Sequence, residues 1–247
     1  MATHEDGPAL RATVATACRV LAQKGLVSGI LGHVSARVGP DELVIRCRGP
    51  HEAGLARSDV GDVWRFAFDG SPSDPPPGYD APKELSIHTQ LMRRRPDVGA
   101  VVHAHPRSAL LCGLAGIEPR AVFGAYNIPA ARLAIGGIPL FMRPILITRP
   151  DLADEMIAVM GDGPVCLLVG HGITVAAASV ELATVLAVNL DDLLSITVDL
   201  ALLGARPDKL SADDLAELPD LGSAFNDELA WRSLVADLAV ADPAATP

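Results

Sequence analysis

The segment Val101-Val102-His103-Ala104-His105-Pro106 constrains this chain more than any other stretch. An apolar run ending in His-x-His reads as a strand delivering two imidazoles. Side chains alternate along a strand, so His103 and His105 project from one face with Cα atoms about 6–7 Å apart. That span suits two ligands of one small cation. Two adjacent same-face histidines are costly to bury without a partner, which favours the ligand reading over a structural one. A third imidazole, His171, stands between an apolar strand over 165–169 and Gly172. Three neutral imidazoles with one coordination position left open outline a catalytic metal site.

The 247 residues suffice for one large domain with a substantial core. Hydrophobic residues make up 49% of them and the mean hydropathy is +0.31. No apolar run reaches the roughly 18–20 residues needed to cross a bilayer, so the apolar excess belongs to a core or to subunit interfaces. A net charge of -10 argues against nucleic acid, whose phosphates need clustered positive charge. It leaves room for a small anionic substrate met by a local group of cations. The N-terminal Met1 to Asp6 has no basic stretch followed by an apolar one, which argues against secretion. Cys18, Cys47, Cys112 and Cys166 are scattered without CxxC spacing. The expectation is a reduced, cytoplasmic protein that does not enter a membrane.

Periodicity predicts helices over 9–24, from Asp80-Ala81-Pro82 to about 95, and over 108–113, 149–160 and 180–203, with a further one around 228–240. In 180–203 the helical spacing is carried by Leu186, Leu190, Leu193, Ile196 and Leu200. Strands are predicted over 34–38, 42–48, 63–68, 98–105, within 139–146, and over 165–169. Residues 71–78, rich in proline and serine, read as an extended surface loop. Strands and helices intermix without an internal repeat or a second domain, so the class is α/β or α+β around a central mixed sheet.

Other residues gain meaning by position. Glu84 reads locally as a first-turn glutamate favoured by the helix dipole. His88, four residues on, shares its helical face and reads as a structural neighbour. Gly32-His33-Val34-Ser35 and Arg46-Cys47-Arg48-Gly49-Pro50 contain glycines that let backbone N–H groups approach an anion. Arg37, Arg46, Arg48 and Lys83 are cations near these elements, each of which alone reads as a surface residue. Arg93-Arg94-Arg95 closes a helix and complements its C-terminal charge.

Taken in order, these elements resemble the class II aldolase/adducin family. The matching pieces are Gly32-His33-Val34-Ser35-Ala36-Arg37, then Glu84-Leu85-Ser86-Ile87-His88, then the segment from Arg95-Pro96-Asp97-Val98 through His103-Ala104-His105-Pro106, and finally His171-Gly172 with the long helix from Glu181. The likeness spans roughly 9–204 and leaves 205–247 as a tail, partly helical and available for subunit contact. The resemblance implies one class II aldolase-like α/β domain over 1–247 in three layers, with a mostly antiparallel nine-stranded central sheet flanked by helices. It implies a homotetramer with sites between subunits. It implies a divalent cation on His103, His105 and His171, with Glu84 as catalytic acid/base. Imidazole donors favour zinc ahead of manganese, iron or cobalt. The non-enzymatic adducin branch lacks this histidine set, which implies an enzyme.

Departures from the family pattern narrow the substrate. Sugar-phosphate aldolases of the family carry Asn where His33 stands, Thr/Ser-Gly where Arg48-Gly49-Pro50 stands, and Ser-Ser where Pro82-Lys83 precedes Glu84. Two of these three elements thus bring full positive charge, and an arginine fork suits a carboxylate. Hence His33, Arg48, Gly49 and Lys83 are the expected substrate-binding residues. The chain is most similar to a branch that decarboxylates hydroxylated aromatic or pyridine dicarboxylates, above all the 3,4-dihydroxyphthalate decarboxylases of phthalate degradation. The implied reaction is metal-dependent loss of CO2 to give protocatechuate, with Glu84 protonating carbon from a pKa raised by a dry pocket. Two alternatives stand beside it: an aldolase or dehydratase of a small phosphorylated ketose, and a non-catalytic scaffold as in adducin.

Overall fold

The computed structural model describes residues 7–222 and 224–241. The reading of Met1 to Asp6, and residues 242–247 of the expected tail, lie outside the described residues.

Pro8 opens the first helix, α1 (Pro8–Gln23), where a proline removes no helical hydrogen bond. Val14, Ala17, Cys18 and Leu21 form its buried stripe at i, i+3, i+4 and i+7. A meander follows: β1 (His33–Arg37), β2 (Glu42–Arg46) and β3 (Val63–Ala67). Then come α2 (Leu85–Arg94), β4 (Ala100–Ala104), α3 (Arg107–Ala115), α4 (Ile128–Leu133), β5 (Leu140–Phe141), α5 (Pro150–Met160), β6 (Val165–Leu168), β7 (Gly172–Ala177), α6 (Val180–Leu202), α7 (Ala212–Glu217) and α8 (Ala230–Ala241). The strands make one sheet in the order β3-β2-β1-β4-β7-β6-β5. Every neighbouring pair is antiparallel except β5 with β6.

Alternation along the strands splits the core in two. Val34, Ala36, Val44, Val102, Ile173 and Val175 face α1, α3, α4 and α6, packing on Val14, Ala109, Ala130 and Leu190. Leu43, Ile45, Val101, Cys166, Leu168 and Ala176 face α2 and α5, packing on Ile87, Leu91, Leu152 and Met156. The result is the implied three-layer α/β/α arrangement. Its sheet has seven strands rather than nine. Among the described residues, further pairing is confined to the single bridges Arg48–Asp80 and Phe66–Pro72, beside prolines that supply no ladder donor.

Three local expectations change. Helix α2 begins at Leu85 and not near 80–82, because Asp80 exchanges backbone hydrogen bonds of 2.9 Å with Arg48. Strand β7 lies directly after His171, where none was expected. On α6 only Leu190 and Leu193 of the five spaced apolar residues are buried. The row that meets the sheet side is Val180, Ala183, Ala187, Leu190 and Leu194, whose alanines admit a close approach.

The tail returns to α1, where the Gln23 amide donates to the Asp237 carbonyl at 2.8 Å and Lys24 pairs with the Asp237 carboxylate at 2.8 Å. All four cysteines are free and buried, and burial pushes the Cys18, Cys47 and Cys166 thiols up to about 12. Among the described residues no helix is long and apolar enough to cross a membrane.

Gly99 carries the ladder from β1 to β7: its carbonyl accepts from Arg37 N–H at 2.7 Å and its N–H donates to Ala177 O at 2.8 Å. A Cβ there would stand 2.1 Å from the Ala178 carbonyl oxygen. Gly99→Ala is therefore expected to destabilise the fold by about 1–3 kcal/mol or more through overpacking, read as a lower urea midpoint at unchanged slope. An unchanged midpoint would show that the backbones do not approach so closely.

Candidate metal centre and active site

The site forms where four strand ends meet. β1 begins, β4 ends, β6 ends and β7 begins on the same margin of the sheet, because these neighbours run antiparallel. His33 opens β1 directly opposite His103 on β4. The two rings stack, with centroids 4.8 Å apart and planes 23° from parallel. His105 lies just past the end of β4. His171 sits in the β6–β7 turn, where its N–H donates to Leu168 O at 3.0 Å after Gly170 at φ +68°. Gly172 makes the closure possible, since a Cβ there would lie 2.2 Å from Ala104 O and 2.9 Å from His105 Cδ2.

Glu84 enters from above this margin, at the N-cap of α2. It does not cap its own helix. Instead Oε1 accepts the Ile147 N–H at 2.8 Å. Oε2 then faces the imidazoles, 3.4 Å from His103 Nε2, 3.5 Å from His171 Nε2 and 3.9 Å from His33 Nε2. Glu84 thus turns its carboxylate toward the imidazoles and the Ile147 amide rather than toward the N-terminus of its own helix. One ligand atom from each of Glu84, His103, His105 and His171 lies within 4.8 Å of all the others. The Nε2 atoms of His103 and His105 are 2.8 Å apart. His103 is fully buried and its Nδ1 lies 3.4 Å from Thr174 Oγ1, which orients the ring.

This donor set fits a divalent cation. Neither buried ring nitrogen of His171 makes a well-formed hydrogen bond, although Nε2 lies 3.5 Å from Glu84 Oε2, and ligation of one of them would relieve part of that cost. Three imidazoles and a carboxylate are the donors expected of zinc or a similar ion. Ligation needs neutral imidazoles, and burial followed by the charges of neighbouring histidines holds His105 down at about 3. Burial likewise lowers His103 and His33. For Glu84, burial alone would raise the carboxyl. The His103 and His171 imidazoles outweigh it and hold Glu84 well below the usual carboxylate range. The direction is opposite to the raised pKa expected for a carboxyl that protonates carbon directly.

The remaining expected residues are less closely gathered. Among the described residues, neither Arg48 nor Lys83 makes a hydrogen bond or ion pair with the four-residue cluster. Arg48 is half-buried and Lys83 exposed. The Arg48–Asp80 bridge nevertheless ties the 48–50 loop to the segment leading into Lys83 and Glu84. Gly49 abuts Tyr79, since a Cβ would lie 2.5 Å from its ring. Arg37 is consumed structurally, donating to Val98 O at 2.9 Å and to the Met92 carbonyl at the end of α2. Arg46 is buried against Glu52. Contacts not foreseen in the sequence are those of Ser35, His88, Thr174 and the Ile147 N–H with His33, His103 and Glu84 or with one another. Only His88 had a signal in the sequence, its i+4 spacing from Glu84.

Residues 12–198 match the model of the class II aldolase and adducin N-terminal domain. The chain is 47% identical to the 3,4-dihydroxyphthalate decarboxylase of Arthrobacter keyseri, with 94% of each chain covered. It is 45% identical to the protein of the same name from Terrabacter sp. (strain DBF63), covering 92% of this chain and 95% of that one. Among solved structures, an aldolase II superfamily protein from Pseudomonas syringae superposes with a TM-score of 0.78 at 20% identity, covering 96% of this chain and 94% of the other. That likeness speaks for the fold, and the sequence matches speak for descent. The chain belongs to the class II aldolase and adducin family.

Proposed function

We propose that this chain is a metal-dependent carboxy-lyase, acting in the cytoplasm on a hydroxylated aromatic dicarboxylate. The proposed substrate is 3,4-dihydroxyphthalate, giving protocatechuate and CO2. The observation that carries the reading is the buried Glu84-His103-His105-His171 cluster in a chain so similar to two 3,4-dihydroxyphthalate decarboxylases. The reading takes His103, His105 and His171 as ligands of a divalent cation, zinc first among the candidates. Bound there, such a cation supplies Lewis acidity that favours negative charge on a substrate oxygen.

Loss of CO2 from an aryl carboxylate would leave an electron pair on a ring carbon. A hydroxyl next to the carboxylate removes that difficulty, because the ring can first be protonated at the carbon bearing the carboxylate. The carbon–carbon bond then breaks, its electron pair returns to the ring, and aromaticity is restored. Glu84 begins as a carboxylate, so the proton it delivers has to be collected first. Oε2 takes it from the adjacent hydroxyl and returns it to the neighbouring ring carbon. The phenolate product acquires a proton from water on release, and Glu84 ends as it began. A raised pKa is therefore not required of Glu84. The Ile147 N–H holds Oε1, leaving Oε2 to do the transfer.

His33 Nε2 borders the same space and serves to hydrogen-bond the departing carboxylate or a hydroxyl. Arg48 and Lys83 would hold the second carboxylate, with Gly49 letting the loop backbone approach it. The reading also carries a homotetramer with pockets between subunits. Exposed Leu114 beside Gly170, together with exposed Tyr126, Met142 and Leu146, supplies apolar surface consistent with that assembly.

Three measurements test this. Metal-loaded protein should release CO2 from 3,4-dihydroxyphthalate, lose the activity on chelation and regain it with a divalent cation. Turnover of a phosphorylated ketose instead would move the reading to the aldolases. Glu84→Gln should keep its bound metal while kcat falls by about 10²–10⁴-fold, the usual range for a lost acid–base group; near-normal turnover would end its proposed role. Arg48→Ala and Lys83→Ala should each raise KM for the dicarboxylate by roughly 10-fold or more, the scale of one hydrogen bond to a charged group, with little effect on a monocarboxylate analogue. Equal effects on both substrates would count against carboxylate recognition.

A further inference from the structure

Behind His33 runs a chain of buried hydrogen bonds that leads away from the cluster. His33 Nδ1 lies 2.7 Å from His88 Nε2, and His88 Nδ1 lies 2.6 Å from Ser35 Oγ. Ser35 and His88 are completely buried and His33 nearly so. Ser35 stands two residues beyond His33 on the same face of β1. His88 stands one helical turn beyond Glu84 on α2. One strand and one helix thus supply both ends of the chain.

Each contact holds one proton, so the chain has two possible directions. In one, the Ser35 hydroxyl donates to His88 Nδ1, His88 Nε2–H donates to His33 Nδ1, and His33 carries its remaining proton on Nε2. In the other, every donor and acceptor is exchanged. The surroundings decide between them. His33 Nε2 faces the Glu84 carboxylate oxygen at 3.9 Å, and a lone pair aimed there would be repelled. At the far end, the Ser35 hydroxyl has no hydrogen-bond partner other than His88 among the described residues. The reversed direction would therefore leave a buried hydroxyl hydrogen without an acceptor. Charging His88 is disfavoured as well, since it is wholly buried and the cost of burying a charge outweighs the attraction of Glu84.

We infer that Ser35 and His88 are positioning residues: a buried relay, directed from Ser35 through His88, that fixes His33 as its Nε2–H tautomer and so presents a hydrogen-bond donor to the pocket. The inference rests on the reading above only in its consequence, that an anionic substrate meets this donor. Neither residue touches substrate, and both act through His33.

The test is ring-15N histidine labelling of the zinc-loaded full chain, with His33 assigned by difference from His33→Asn. The expected spectrum has His33 protonated on Nε2 and bare on Nδ1. In Ser35→Ala and His88→Leu that signal should redistribute between tautomers, with metal per chain unchanged. His88→Gln should restore it, because the amide can accept from Ser35 and donate to His33. Activity should follow, with kcat/KM for the dicarboxylate falling about 10- to 100-fold in His88→Leu and recovering in His88→Gln. A wild-type His33 protonated on Nδ1, or on both nitrogens, overturns the inference, as does a tautomer indifferent to Ser35 and His88. The wild-type spectrum decides even where a variant fails to fold. The expected tautomer in a protein that releases no CO2 would retire the substrate and leave the relay standing.

Discussion

The structure is organised around one buried carboxylate whose two oxygens are used differently. Oε1 of Glu84 is satisfied by a backbone N–H, which fixes the group, and Oε2 faces three imidazoles at 3.4–3.9 Å. Such a group is tolerated in a protein interior only if its surroundings are polar and correctly aimed. That requirement makes demands on distant parts of the chain. The α2 N-terminus must stand over the β4 end, the loop before α5 must offer the Ile147 amide, and the β6–β7 turn must bring His171 across.

Small residues make those demands compatible. Gly172 allows β7 to press against the carbonyl of Ala104, and Gly99 does the same for Ala178 at the other end of the same strand pair. On the opposite layer, Ala183 and Ala187 admit α6 close to the sheet. The abundance of alanine and scarcity of aromatics, which in composition says only that the chain is apolar, here reflects layers set close enough for strand ends to share a cation-sized space.

Much of this was legible in the sequence, for identifiable reasons. The His-x-His strand end is a local pattern with a fixed period, so its placement of His103 and His105 follows from β geometry. Alternation and proline or glycine punctuation located β1, β2, β3, β6 and most helices to within a few residues. Two six-residue helices, α4 and α7, were too short to show a period, and the other misses were non-local. Strand β7 reads as a short apolar run, and its two buried faces leave no alternation to reveal it. The start of α2 shifted because Asp80 is engaged by Arg48, some thirty residues away. The electrostatics of Glu84 depended on which rings surround it, and burial alone suggests the wrong sign. His88 was visible as a spacing but not as a function, since its meaning lies in partners on β1.

The pairing of His33 with His103 across β1 and β4 has a consequence for assembly of the fold itself. Side chains on a strand repeat with period two, so a slip of β1 by one residue would turn His33 and Ser35 into the alanine-lined layer and bring Val34 to face the cluster. The chemistry and the strand register are thus a single specification. A misregistered sheet would lack the polar lining as well as the apolar packing, so the same alternation that fills the core also aims His33 and Ser35 at the cluster.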